Sequence, residues 1–121
     1  MNNECLWLSG YRNDQLDIGD FQGDIIVLQG LDAWIGQDVD IMDAGSIRKK
    51  WKGILENWRI WEKEKDGRTC IVIGSDITKG IVPMEAQNRQ WRDACGWVFQ
   101  DVVSLSMRVD IIWYGINQQI K

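Results

Sequence analysis

Apolar positions fall into two regimes along the chain. Two short runs, Ile25-Ile26-Val27-Leu28 and Cys70-Ile71-Val72-Ile73, are apolar without interruption and rich in β-branched residues. Runs of that length without alternation predict strands buried on both faces, as in a parallel sheet. Val109 to Tyr114 reads the same way, and Cys5-Leu6-Trp7-Leu8, closed by Ser9-Gly10, predicts a fourth strand. Elsewhere the apolar residues recur at helical spacing. Ile47, Trp51, Ile54, Leu55, Trp58 and Trp61 form one stripe, with lysines and arginines facing away. Asp43 or Ser46 caps the start of that helix and Asp66-Gly67 ends it. Trp91, Ala94, Cys95, Val98, Val102 and Leu105 form the second stripe, with Pro83 suited to the first turn of its helix. A shorter helical turn is expected over Leu31–Ile35, and Ile116 to Lys121 is expected to return as a short antiparallel edge.

Strands separated by helices argue an α/β fold with a mainly parallel sheet flanked by helices. No repeat, low-complexity tract or linker interrupts the pattern, and 121 residues suit one domain, 1–121. With 45% hydrophobic and 26% charged residues, such a chain builds a core without needing disulfides or metals. The stripes of tryptophan, a residue present eight times, are read as core or subunit contact rather than ligand-stacking faces.

Charge narrows the function. The formal net charge is −4, and residues 1–47 carry one arginine against nine acids. Residues 48–68 reverse this, with eight Lys and Arg against four acids. An acidic protein with a single mixed basic helix does not fit a nucleic-acid binder. No apolar run approaches the roughly 20 residues that span a bilayer. Met1-Asn2-Asn3-Glu4 lacks the charge and apolar stretch of a signal peptide, so a cytoplasmic protein is expected.

The residue inventory also excludes chemistry. There is no histidine, so no Ser-His-Asp triad, His-ligated metal or His general base can be built from this chain. Cys5, Cys70 and Cys95 form no C-x-x-C pair, and each sits in an apolar stretch where a buried, inert thiol is expected. Asp38-Val39-Asp40-Ile41-Met42-Asp43 lacks the glycine and terminal glutamate of a calcium loop and reads as a solvated loop with a helix cap.

Ligands of open α/β sheets gather beyond the C-terminal ends of the strands. Two segments occupy that place: Gln29-Gly30-Leu31-Asp32, and Gly74-Ser75-Asp76-Ile77-Thr78-Lys79-Gly80 leading to Pro83 and a helix start favourable to an anion. Neither is a P-loop, because Gly74 to Lys79-Gly80 has the residues of G-x-x-x-x-G-K-[ST] in the wrong order.

Over residues 72–100 a more specific pattern emerges. Gly80-Ile81-Val82-Pro83, then Arg89-Gln90-Trp91-Arg92-Asp93, then Gly96 and Gln100, resembles the C-terminal signature of the adenosylcobinamide kinase/adenosylcobinamide-phosphate guanylyltransferase family of cobalamin biosynthesis. Asp24 to Leu28 resembles that family's acid-bearing central strand, and Val109 to Lys121, with Gly115, its final strand and hairpin. The resemblance covers about 24–121 and implies an incomplete P-loop-NTPase-like (RecA-like) core with a C-terminal antiparallel edge.

Departures shape what the resemblance implies. The family's opening strand and P-loop, and the histidine that receives GMP, have no counterpart here, so the chain reads as a shortened member. Gln29 stands where the central strand ends in an acid, and Ser75-Asp76-Ile77-Thr78 replaces Asn-Glu-Val-Gly. Met84 replaces an acid after the proline, and Phe99 an asparagine before Gln100. Phosphate cradling, metal charge neutralisation and the nucleophile are lost together, and phosphoryl transfer depends on such groups.

The expectation is therefore a catalytically silent relative, a pseudoenzyme, that binds a corrinoid intermediate or a full-length family partner. The alternatives are a subunit of a split kinase/guanylyltransferase completed in trans, and a purely structural homo-oligomer. Candidate ligand-binding residues are Gln29, Asp32, Asp76, Lys79, Gly80, Arg89 and Arg92, with no catalytic or metal-binding residue. Lys79 suits a phosphate; Arg89 and Arg92 suit a ligand carboxamide or an ion-pair set with Asp93. No cofactor is expected, GTP and Mg²⁺ entering only if the family site survives in altered form. A nucleotide is the other possible ligand, and the family resemblance implies a trimer.

Overall fold

Three five-residue strands, β1 (Cys5–Ser9), β2 (Ile25–Gln29) and β3 (Thr69–Ile73), pair in parallel in the order β1-β2-β3. The structure is a computed structural model that describes residues 5–19, 21–74, 86–113 and 115–121, the side chains of 86–88, 111 and 113 excepted. Leu6, Ile26 and Cys70 share one register line and Leu8, Leu28 and Val72 the next. These residues point to one face of the sheet, because side chains alternate along a strand. That face is the covered one. Against it pack α1 (Leu31–Asp38), α2 (Ala44–Lys63) and α3 (Ala86–Leu105), in a core of Ile26, Leu28, Leu31, Trp34, Ile35, Ile47, Trp51, Leu55, Ala94, Cys95 and Val98.

The helical stripes do what their spacing predicts. Ile47, Trp51 and Leu55 are buried on α2, and Ala94, Cys95 and Val98 on α3. Asp43 is the residue that caps α2, its carboxylate accepting the Ser46 N–H at 2.7 Å, and that bond holds its acidity above the ordinary. The chain leaves α2 through Gly67 at φ 90°, a conformation that glycine adopts without the steric cost of a Cβ. The turn expected over Leu31–Ile35 is a full two-turn helix, and the place of Pro83 lies outside the described residues.

Three buried acids fasten this layer. Asp38 accepts the indole N–H of buried Trp51 at 3.0 Å and the Lys50 ammonium at 2.7 Å, tying the end of α1 to α2. Asp101 on α3 holds Arg48 on α2 in a two-pronged pair at 3.0 and 3.1 Å. The guanidinium keeps the Asp101 carboxyl below its ordinary pKa. Asp32 belongs to the site below.

Two strands differ from their reading. Only β2 is buried on both sides, through Ile26, Val27 and Leu28. β3 alternates, with Ile71 and Ile73 exposed, because among the described residues no strand pairs on its outer side and no helix lies on its other face. The apolar run near the C-terminus is β4 (Asp110–Trp113), and it pairs antiparallel with β5 (Ile116–Gln119) as a separate two-stranded sheet. Ile112 is 75% exposed there, so this strand is not a buried parallel one. Cys5 likewise departs from the expected buried thiol. It is exposed at the start of β1, on the open face. No helix among the described residues is long and apolar enough to cross a membrane.

Candidate functional site

The C-terminal ends of β1 and β2 come together through two glycines. A side chain on Gly10 would collide with the Gly30 carbonyl oxygen, and Gly30 sits at φ 84° against the ring of Tyr11. Bare backbone at both positions lets the turn after β1 lie directly on the start of α1.

Asp32, in the first turn of α1, is the buried acid of this corner. Its carboxylate accepts the Tyr11 hydroxyl at 3.0 and 3.3 Å, and its backbone carbonyl accepts the Trp91 indole N–H at 2.8 Å. The second bond brings the beginning of α3 against the beginning of α1. Cys95 is buried behind it. Burial, with the Asp32 charge adding to it, pushes that thiol up to about 12. It is an inert core group rather than a nucleophile.

The turn after β1 is closed on itself. The Asp14 carboxylate accepts the Ser9 N–H at 2.9 Å, the Asp14 N–H donates to the Ser9 carbonyl, and Asn13 N–H donates to the Gly10 carbonyl. Arg12 pairs with Asp14 at 2.9 Å and donates to the Trp7 carbonyl at 3.1 Å. The Gly10 and Gly30 amides donate to the carbonyls of Gln29 and Ile73 on the neighbouring strands. Amides that would face a phosphate in a cradle are here engaged by the protein itself, and the nearby carboxylates of Asp14 and Asp32 add negative charge.

The predicted residues divide between locations. Asp32 lies in the first turn of α1, and Arg89 and Arg92 lie near the start of α3, whose Trp91 makes the contact to Asp32. Arg92 is half-buried and Arg89 exposed, and none of the ion pairs among the described residues joins either to Asp93. Gln29 lies elsewhere, on the open face of the sheet, where its Oε1 accepts the Trp7 indole N–H at 2.8 Å. Asp76, Lys79 and Gly80, and the anion site expected around them, lie outside the described residues. Tyr11 was not legible as a site residue, because nothing in its neighbourhood announces a partner 21 positions away. Among the described residues no group of three or more acids and cysteines is arranged to hold a metal ion.

No curated protein matches the chain. A family model described as cobinamide kinase / cobinamide phosphate guanyltransferase matches residues 12–120. That span takes in β2, β3, all three helices and the C-terminal hairpin. The signature residues and this match agree, and the chain belongs to the cobinamide kinase/cobinamide phosphate guanyltransferase family, which relates it to cobalamin biosynthesis.

Proposed function

We propose that this chain serves cobalamin synthesis or salvage without transferring a phosphoryl or guanylyl group on its own, and that it binds a corrinoid intermediate or a full-length member of the family. The observation that carries this reading is the inventory of the 121 residues: no histidine to accept a guanylyl group and no G-x-x-x-x-G-K-[ST] sequence to hold a nucleotide. The corner at Asp32 supports it. Its backbone amides are used internally and its carboxylates oppose a phosphate, whereas phosphoryl transfer needs donors and cations aimed at the transferring group. An acceptor-rich corner, with Arg89 and Arg92 on the helix that docks there through Trp91, suits carboxamide groups, which both donate and accept. The same reading holds that the chain works in the cytoplasm, in an assembly with its own copies or with the full-length enzyme.

Calorimetric titration tests it with three ligands: GTP with Mg²⁺, adenosylcobinamide, and adenosylcobinamide phosphate. Corrinoid binding without GTP binding is the expected result for the ligand-binding form. Tight GTP binding overturns the reading. Failure of all three leaves protein pairing as its only surviving form.

A second reading is favoured by the sheet itself. A split enzyme completed in trans needs a surface on this chain left for the missing part, and among the described residues β3 is an edge strand with Ile71 and Ile73 partly exposed.

A further inference from the structure

The tryptophans of α2 do not all share one fate. Ile47, Trp51 and Leu55 are buried, while Trp58 and Trp61, further along the same stripe, are half-buried. Trp7, Trp34, Trp51 and Trp91 each donate the indole N–H to an acceptor in the protein. The indoles of Trp58 and Trp61 donate to none among the described residues. Their rings stand nearly perpendicular, at 78° with centroids 6.4 Å apart. Arg68 lies over the Trp61 ring at 4.8 Å, and its guanidinium also donates to the Trp61 carbonyl at 3.1 Å. This ring is thus held in place by a cation stacked on it.

The two rings wall a space of about 350 Å³ between α2 and the loop that follows the β1 turn. Ile54 from the helix and Leu16 and Ile18 from the loop complete the apolar wall; Asn57 and Asp17 are its polar members. Size and lining are those of a small-molecule site, apolar with a few polar groups. The loop is set by its own bonds. The Asp17 N–H donates to the Gln15 carbonyl at 2.9 Å, the Asp17 Oδ1 accepts the Gly19 N–H at 3.0 Å, and the Phe21 N–H donates to the Ile18 carbonyl at 3.1 Å. Among the described residues Asp17 is the single charged member of the lining, exposed and joined to no cation. The surroundings have the same sign. Residues 14–24 carry four acids and no base, and residues 54–68 carry four acids against four bases. The two segments that build the space therefore account for the whole net charge of −4. The indole faces add to it, because the quadrupole of a π-system is negative over the ring.

We propose that this space is a binding site for a free, compact organic cation, an ammonium nitrogen bearing alkyl groups. The alkyl groups leave water for Leu16, Ile54 and the indole rings, while the charge spread over them meets the ring faces and the Asp17 carboxylate. A bare ammonium or a metal ion is too strongly hydrated to exchange water for so apolar a wall. An anion meets a carboxylate and two negative ring faces, and a neutral ligand forgoes both attractions. The site shares no residue with the Asp32 corner, so it stands apart from the corrinoid reading.

The test titrates the chain with choline and with neohexyl alcohol, in which a quaternary carbon takes the place of the charged nitrogen. Tryptophan fluorescence follows both ligands. The N-methyl proton resonance of choline, which an indole face shifts upfield, reports where the methyl groups sit. Choline is expected to bind about tenfold more tightly than the alcohol. Asp17→Asn keeps the Oδ1 that accepts the Gly19 N–H, so its urea midpoint should match the unaltered chain. It should weaken choline about threefold and leave the alcohol unchanged. Trp58→Leu should abolish both the preference and the upfield shift, and Asp17→Asn decides alone if that variant does not fold. Equal binding of the two ligands overturns the proposal, as does binding of neither. Choline binding unchanged in both variants puts the cation elsewhere and overturns it too. Phosphatidylcholine vesicles present the same group on a membrane. A chain that sediments with them and ignores free choline gives the space to a lipid surface and overturns the free ligand.

Discussion

The central strand and the edge strand β3 are equally long and equally apolar, yet β2 is buried on both sides, Val27 included, while β3 is buried on one. On the covered face Ile26 and Leu28 are fully buried beneath α1, α2 and α3. On the other face Ile71 and Ile73 of β3 are about two-fifths exposed. An apolar run therefore reports that a strand forms, and not how many of its sides another element covers. That depends on strand order and on crossover direction, which join residues far apart in sequence.

The largest loss is expected at the core. Leu28→Ala should cost about 3 kcal/mol, because the helices above cannot collapse fully into the space left behind. Ile71→Ala, on the open face, should cost under about 1 kcal/mol. Urea denaturation of the two variants measures the contrast, and equal losses would mean that the open face is covered in solution. Next comes Asp38→Ala, which strands the buried Trp51 indole N–H and should cost about 2 kcal/mol.

Arg48 and Asp101 make the fastening of α2 to α3 depend on pH. The Asp101 pKa is depressed in the folded protein, so the pair's contribution is complete above the unfolded carboxyl's value, about 4. It is lost as pH falls through the lower, folded value. Asp101→Asn should remove about 1 kcal/mol at neutral pH, and its stability should converge with that of the unaltered chain in acid. A difference that persists unchanged at low pH would show that the fastening is not electrostatic.

The smallest perturbation is chemical labelling. Cys5 lies on the open face, while Cys70 lies on the covered one, its thiol pushed up to about 12 by burial and, secondarily, by the Glu62 charge. An alkylating reagent at neutral pH should modify Cys5 and spare Cys70 and Cys95 until the chain is unfolded. Mass spectrometry of the labelled peptides reads this directly. Protection of Cys5 in the native chain would again mean that something covers the open face.

Most of the architecture was legible because it is local. The α2 stripe of Ile47, Trp51 and Leu55 and its Asp43 cap lie within a few turns of one another, and period and capping chemistry identify them. The four strands were found for the same reason, and Ile116–Gln119 returns antiparallel as expected. What escaped is long-range. That Asp32 meets Tyr11 and Trp91 follows from two close glycine turns and a helix docking across 59 positions, and no spacing encodes it. The acidic segment from Asp38 to Asp43 was read as solvated, but Asp38 is buried because two donors from α2 reach it. The family signature carried the functional reading further than composition did, since it depends on linked residues rather than on totals.

Arg12 and Asp14 have a consequence for how large an assembly can grow. A sheet with two bare edges can add copies at both ends and run on as a fibre. Here Arg12 and Asp14, from the turn that follows β1, take the Trp7 carbonyl and the Ser9 N–H, so a strand adding along that end of the edge would first have to displace them.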